Sequence, residues 1–339
     1  MNPRKTGLIL VLIVILGAAL RIRSLWFQIP DWDERWTLHV ASMPWLEVIR
    51  FSIMVDFNPP LFYIAAKAFV SIGGAHLFMV RLPSLVAGVL MVPVAYLIGE
   101  ELEDDVMGLI MAFFTATLYS VIYYTQYARS FALAGLFFAV AIWAFLMVFH
   151  GEDRQWLFIG AGLAAIYTHA FAVVPFCLMG AYLWWRGRIG LKHAAGAALA
   201  AVPFAVMMWT IAQYRHANYG LTPQWVAGTL PLEMLGYAFP FILILIIISW
   251  VKDRNGVTGI FLAVPVVTGL SAVAVSFWTP VFPRYALATM PMLLAVAMVP
   301  MSRWVRSREP WWWYFGFPIL LLNVLQLWSL WTVQMHPTV

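Results

Sequence analysis

The sequence predicts an all-α protein whose helices cross a membrane many times. Of its 339 residues, 63% are hydrophobic and only 10% are charged, whereas soluble proteins carry about 25% charged residues. The mean hydropathy of +0.86 agrees with a membrane protein. A single cysteine, Cys177, excludes a disulfide framework and a thiol-based metal motif. The net charge of +5 is explained by basic residues between the apolar segments, so it implies no nucleic-acid partner.

Apolar segments of about 20 residues, or shorter ones flanked by Arg or Trp, indicate the individual crossings. In chain order the predicted spans are 7–25, 81–99, 106–123, 130–149, 156–170, 171–186, 193–213, 231–251, 257–278, 285–301 and 311–332, about eleven in all. The stretch 156–186 could instead be one bent helix, and Pro175 and Pro203 could kink rather than end their helices. We treat residues 1–339 as one transmembrane domain.

Basic residues predict the orientation of these spans. The Arg4-Lys5 pair precedes the first span, and further Lys and Arg fall in alternate loops, which the positive-inside tendency places in the cytoplasm. We therefore predict an integral protein of the cell (inner) membrane, with a cytoplasmic N-terminus and an outward-facing loop at 28–80. The first span also resembles a secretory signal, but Arg21 and Arg23 would follow its cleavage site, so we expect the span to be retained. We interpret the acidic run Glu100–Asp105 as a solvated inner turn.

The outer loop at 28–80 is too apolar to be a simple linker. Apolar residues recur on one side of 43–51, with Ser42 as a candidate N-cap and Pro44 in the first turn, and predict a short helix lying in the interface. A second such helix is predicted after the Pro59-Pro60 pair. The loop places four acids where membrane and water meet: Asp31, Asp33, Glu34 and Asp56. A reaction between a lipid and a water-exposed acceptor needs that location.

Six short motifs occur in an order that is typical of one family. They are Asp33-Glu34, the D-x-N-P-P-L segment at 56–61, Arg81–Gly88, Tyr124–Leu133, Tyr167-Thr168-His169 and Phe282-Pro283-Arg284-Tyr285. With these motifs the chain resembles the GT-C glycosyltransferases, specifically the group of protein O-mannosyltransferases and lipid A aminoarabinose transferases. The resemblance implies a GT-C type fold.

Two features depart from the family. Asn58 stands where relatives usually carry His, so any role of that imidazole is absent. Only eight residues follow Trp331, so we expect no C-terminal soluble domain in this chain, and acceptor recognition by such a domain is not expected.

The resemblance implies the reaction as well. A sugar leaves a polyprenyl-phosphate donor and is attacked, with inversion, by a hydroxyl of a lipid, glycan or protein acceptor on the extracytoplasmic face. Asp33 and Glu34 are the expected catalytic residues, with Asp33 as general base. Arg129 and Arg284 are expected to bind the donor phosphate, with Arg81 or Lys67 as a third cation. The expected substrate-binding residues are Asp56, Asn58, Tyr127, His169 and Tyr285.

Each assignment has a structural alternative. The two catalytic acids could pair with Arg35 or cap a helix, and Asp56 could cap the turn before the proline pair. Arg129 and Arg284 could be snorkelling residues at span ends, His169 a hydrogen-bonded structural histidine, and the two tyrosines interface aromatics.

The acidic motif also contains a pattern that can bind a metal ion. Asp31-Trp32-Asp33 spells D-x-D, and oxygen ligands suit magnesium or manganese. Because arginine can neutralise a lipid monophosphate, we expect no obligatory cofactor; a divalent cation, if present, would use Asp31, Asp33 and His169.

The alternative function is a transporter or flippase of lipid-linked sugars. Such a protein should carry polar, broken helices near the bilayer midplane and an internal repeat, and the sequence shows no repeat.

Overall fold

The structure is a computed structural model that describes residues 2–22, 25, 31–56, 58–214, 223–252, 256–277 and 283–335. Within these ranges all regular secondary structure is helical. The helices are α1 (Pro3–Ile22), α2 (Trp32–Ser42), α3 (Trp45–Met54), α4 (Leu61–Gly73), α5 (Leu77–Leu102), α6 (Asp105–Thr117), α7 (Tyr119–Thr125), α8 (Phe131–His150), α9 (Gln155–Thr168), α10 (Val173–Trp185), α11 (Leu191–Tyr214), α12 (Pro223–Leu235), α13 (Phe239–Lys252), α14 (Gly256–Val275), α15 (Met290–Ser307) and α16 (Trp311–Met335). Short 3₁₀ turns at Ala170–Ala172, Gly236–Ala238 and Pro283–Thr289 precede α10, α13 and α15. Arg23 and Phe282, singled out in the sequence, lie outside the described residues.

Six of the described helices are long and apolar enough to cross a membrane: α1, α5, α8, α11, α14 and α15. Two bent pairs, α6 with α7 and α12 with α13, raise the number to eight if each pair forms one span. The stretch 156–186 divides at His169 into α9 and α10, which have 14 and 13 residues. The count of eleven spans therefore stays a prediction, while the all-α membrane class is confirmed.

The break between α6 and α7, where the helix axis bends by 58°, receives a buried arginine from α1. Arg21, at the end of α1, is fully buried and donates hydrogen bonds to the backbone oxygens of Thr115 and Ala116, at 2.9 and 3.0 Å. These carbonyls lie in the last turn of α6, where helical partners are missing. Arg21 Nε also donates to Thr125 Oγ1 at 3.0 Å. The guanidinium therefore joins α1 to both halves of the bent pair.

The outer loop contains three helices, of which the sequence predicted two. The predicted interface helix at 43–51 is α3, and the helix after the proline pair is α4. The candidate cap is wrong: Ser42 ends α2 and its hydroxyl donates to the Leu38 oxygen at 2.7 Å, while Pro44 precedes α3 without a side-chain cap. The helix missed by the sequence, α2, begins at the acidic motif, where Asp31 accepts a hydrogen bond from the Glu34 backbone N–H at 2.9 Å.

A buried bundle of α5, α6, α8, α9 and α15 forms the core beneath this loop. At the end opposite the loop, Glu103 pairs with Arg303 at 2.9 Å and with Arg306 at 2.7 Å. Asp104 caps α6 and also pairs with Arg306. Glu103 and Asp104 thus attach the acidic run to α15, so the interpretation of the run as a purely solvated turn is corrected at these two residues.

Candidate active site

Asp33 lies between two arginines that come from distant parts of the chain. Its Oδ1 is 3.7 Å from Nη2 of Arg129, and its Oδ2 is 3.6 Å from Nη2 of Arg284. The side chain is 30% exposed, so it is accessible at the surface of the site. Because both separations exceed the ordinary hydrogen-bond range, the carboxylate is held electrostatically without being enclosed by its partners. Helix α2, the turn after α7 and the 3₁₀ turn before α15 bring the three together.

Asp56 forms a second acidic position that shares Arg129. Nη1 of Arg129 lies 3.8 Å from Asp56 Oδ2 and donates to the Tyr63 hydroxyl at 2.8 Å. The Tyr63 hydroxyl in turn donates to Asp56. Asn58 Nδ2 donates to Asp56 Oδ2 at 2.8 Å and to the Asp56 backbone oxygen at 2.9 Å. Asp56 therefore does more than cap the turn, and Asn58 orients it.

Glu34, expected to be catalytic, and Arg81, expected to bind phosphate, face away from this surface. They form a two-pronged ion pair, with Arg81 Nε and Nη2 at 2.8 and 2.6 Å from the Glu34 oxygens. Both side chains are almost completely buried, at 0% and 1% exposure. The Ala128 backbone N–H donates to the same carboxylate at 3.0 Å. Neither side chain can reach a substrate at Asp33 in this arrangement.

The ion pair instead fixes the short turn that carries Arg129. The Thr37 hydroxyl donates to the Ala128 oxygen at 2.9 Å, and the Ser84 hydroxyl donates to the Arg129 oxygen at 3.2 Å. The turn packs closely on α5, because a Cβ on Gly88 would come within 2.4 Å of Thr125. The backbone at 125–129 is thus held from α2 and α5, which limits the movement of Arg129.

Aromatic rings form the wall behind Arg284. Its Cζ lies 5.4 Å from the centre of the Phe131 ring, a distance at which cation–π attraction operates. The His169 ring lies 5.4 Å from Phe131 and 4.8 Å from Tyr285. His169 occupies the break between α9 and the next 3₁₀ turn. The residue is buried, at 8% exposure, so its imidazole forms part of this aromatic wall.

Two other expected residues occupy different surroundings. Tyr127 is buried and stacks on Tyr123 at 6.2 Å, and Tyr123 stacks on Tyr119 at 5.9 Å, which makes a ladder of rings along α7. Lys67 lies on α4, one turn after Tyr63, and is half-buried with no ion pair to another described side chain. Tyr127 is therefore part of the packing, whereas the ammonium group of Lys67 is available to bind a ligand.

The acidic motif does not assemble a metal site. Among the described residues no group of three or more His, Cys, Asp or Glu side chains is placed to hold an ion. Asp31 is engaged as the N-cap of α2, and Asp33 faces the two arginines. These ligands do not fit the metal site considered from the sequence, and no step of the chemistry below is assigned to a metal.

Three groups that support the site or the helices beneath it were not predicted from the sequence: the Tyr63 hydroxyl, the Ala128 N–H and Arg21. Arg21 had a signal, because it is a charge at the outer end of a span. Tyr63 had a weaker one, since it follows the proline pair by three residues. The Ala128 N–H, a backbone group, had none.

Known proteins resemble this chain in sequence and in fold. Residues 58–211 match the family described as dolichyl-phosphate-mannose-protein mannosyltransferase. No curated protein matches the chain. Among solved structures, ArnT from Cupriavidus metallidurans in the apo state has a TM-score of 0.64 at 14% identity, over 88% of this chain and 60% of that one. The same protein bound to undecaprenyl phosphate has a TM-score of 0.63 at 16% identity, again over 88% and 60%.

The apo oligosaccharyltransferase of Archaeoglobus fulgidus gives a TM-score of 0.63 at 12% identity, over 96% of this chain and 56% of that one. At such identities the likeness shows the fold, and the GT-C fold implied by the motifs is confirmed. The chain spans 60% of the length of ArnT and 56% of that of the oligosaccharyltransferase.

Proposed function

We propose that this GT-C protein is a glycosyltransferase that moves a sugar from a polyprenyl-phosphate donor to an acceptor hydroxyl. The observation that carries the proposal is the partly exposed carboxylate of Asp33 between the guanidinium groups of Arg129 and Arg284. A base and two phosphate-binding cations are the groups that this transfer needs. The match to a dolichyl-phosphate-mannose family and the likeness to a structure bound to undecaprenyl phosphate support this donor class.

Asp33 acts as the general base. The acceptor oxygen forms a bond to the anomeric carbon from the face opposite the phosphate, and the bond from that carbon to the phosphate oxygen breaks. The acceptor proton passes to the Asp33 carboxylate, a step worth about 10²–10⁴ in rate. The configuration inverts in this single displacement. No acid is needed, because the lipid phosphate leaves as a stable anion.

Arg129 and Arg284 bind the phosphate and stabilise the charge it gains on leaving. Arginine suits this role because its planar donors can contact two phosphate oxygens at once. The contacts of Arg129 with Tyr63 and Asp56 hold its guanidinium in place before the donor arrives. A preorganised donor of this kind lowers the barrier without rearrangement during the reaction.

The remaining expected residues take supporting roles. Lys67 is the candidate for a third phosphate contact, because Arg81 is enclosed by Glu34. Asp56 and Asn58 line the acceptor side of the site. The Glu34–Arg81 pair positions the Arg129 turn, and the His169–Tyr285 pair forms an aromatic wall for the sugar. The site lies at the loop end of the bundle, which we assign to the extracytoplasmic face of the cell membrane.

Reconstitution tests the proposal. The protein, incorporated in liposomes, is given a panel of polyprenyl-phosphate sugars together with candidate acceptors, and free lipid phosphate and transferred sugar are measured together. We expect both products in equal amounts with the wild type, and at least a hundredfold less with Asp33→Asn.

The matched control is Asp153→Asn, which removes an exposed acid from the opposite end of the bundle and should leave turnover unchanged. Movement of intact lipid-linked sugar across the bilayer without release of lipid phosphate would instead establish a flippase. Turnover by Asp33→Asn at the wild-type rate would remove Asp33 as the base.

A further inference from the structure

A groove toward the basic-loop end of the bundle is lined by none of the candidate active-site residues. Helix α9 forms its floor, and α10 and α11 form its walls, with a volume of about 260 Å³. The active-site residue His169 follows the other end of α9, about ten residues beyond the floor residues Phe158 and Ile159, or roughly 15 Å at 1.5 Å per residue. The groove is therefore separate from the transfer chemistry.

The lining of the groove suits a hydrocarbon chain. Four of its wall residues are small, namely Gly180, Ala181, Ala194 and Ala197, and Phe158 forms part of the floor. Small residues on facing helices leave a channel that a flexible chain can fill, whereas they offer a polar ligand almost no hydrogen-bonding groups. The chemistry of the lining thus selects an apolar occupant.

One buried polar side chain, His193, lines this apolar surface. The ring is 6% exposed, and the Gly190 backbone N–H donates to its Nδ1 at 3.4 Å. Because Nδ1 accepts this hydrogen bond, the ring carries a proton on Nε2. This N–H is buried and has no hydrogen-bond partner among the described residues. A buried donor without an acceptor is costly, so the site lacks one oxygen atom that a ligand would supply.

The mouth of the groove has the features of a membrane interface. Trp184 lines it and is half exposed, as interface tryptophans are. Lys192 precedes His193, is exposed, and pairs with no acid among the described residues. Arg188 is also exposed in the turn between α10 and α11. Positive charge beside an apolar groove complements a ligand with an anionic head and a hydrocarbon tail.

We propose that this groove binds one anionic glycerophospholipid. An acyl chain lies between α10 and α11, an ester or phosphate oxygen accepts the hydrogen bond from His193 Nε2, and Lys192 pairs with the phosphate.

The only cysteine of the chain provides the test, because Cys177 is an exposed residue in the groove lining. Delipidated full-length protein in detergent is alkylated with a small maleimide, with and without added phosphatidylglycerol, phosphatidylcholine or undecaprenyl phosphate. We expect phosphatidylglycerol to slow alkylation several-fold and phosphatidylcholine to act only at higher concentration. Native mass spectrometry of the same samples should show one retained phosphatidylglycerol.

Variants make the test specific. His193→Phe keeps an aromatic ring but loses the donor, and should lose the protection. Lys192→Gln, on the exposed surface where folding is not at stake, should abolish the preference for the anionic lipid. Leu199→Phe alters a residue that is 75% exposed on the same helix outside the groove, and should behave as the wild type. Equal alkylation rates with and without phospholipid, or protection by undecaprenyl phosphate alone, would overturn the proposal.

Discussion

Replacing Arg81 with Met should destabilise the protein far more than the loss of a surface charge. The Glu34 carboxylate is fully buried and accepts two hydrogen bonds from Arg81 and one from the Ala128 N–H. Arg81→Met removes two of the three donors and leaves the negative charge in place. Breaking a buried ion pair in this way costs about 3–5 kcal/mol, and the turn that carries Arg129 should loosen with it.

The double variant Glu34→Met/Arg81→Met separates the charge from the packing. With no charge left, the expected loss falls to about 2 kcal/mol, from the Ala128 N–H and the Leu25 oxygen that lose their partners. The free energy of unfolding would be measured by SDS titration in mixed micelles. The control is Arg154→Met, whose exposed pair with Glu152 is worth less than about 1 kcal/mol.

Two outcomes would refute the reasoning. If Arg81→Met is no less stable than Arg154→Met, the buried charge is solvated in some other way. If the double variant is as unstable as Arg81→Met alone, the loss comes from packing and the orphaned carboxylate is not its cause.

Two further predictions concern the site and its support. Arg129→Gln and Arg284→Gln should each weaken binding of polyprenyl phosphate by roughly 10- to 100-fold, the value of a charge-assisted hydrogen bond; unchanged affinity in both would remove the phosphate role. Arg21→Leu leaves the backbone oxygens of the α6–α7 break without their donors, so it should lower the unfolding temperature, and an unchanged temperature would show that other groups replace it.

The acidic pair shows how far the sequence could predict the site. Asp33 and Glu34 are adjacent in sequence, and the motif alone marks both. On a helix, neighbouring side chains point about 100° apart, so one can face the site while the other faces the core. Because α2 was not predicted, nothing in the sequence indicated which acid faces inward. A helix prediction over 32–42 would have separated their roles.

The three arginines of the motifs likewise divide into two that face the site and one that is buried. Arg129 and Arg284 were placed at the site because the motifs put both at outer span ends, and the structure brings both to Asp33. Arg81 lies at a similar position along its span, yet it is buried and pairs with Glu34. Periodicity predicts where a charge lies along the membrane normal, but not which helix face meets which neighbour, since that depends on long-range packing.

The contact between Asp33 and Arg284 also has a consequence for how the protein is made. The two residues are about 250 positions apart, and ribosomes add roughly 5–20 residues per second. On the order of 10–50 s therefore pass between the synthesis of Asp33 and that of Arg284. The turn with Arg129 can dock much earlier, on the Glu34–Arg81 pair. During the interval the nascent protein holds an incomplete site with one arginine. The site is thus completed late in synthesis, and a truncated product that ends before Arg284 should be inactive.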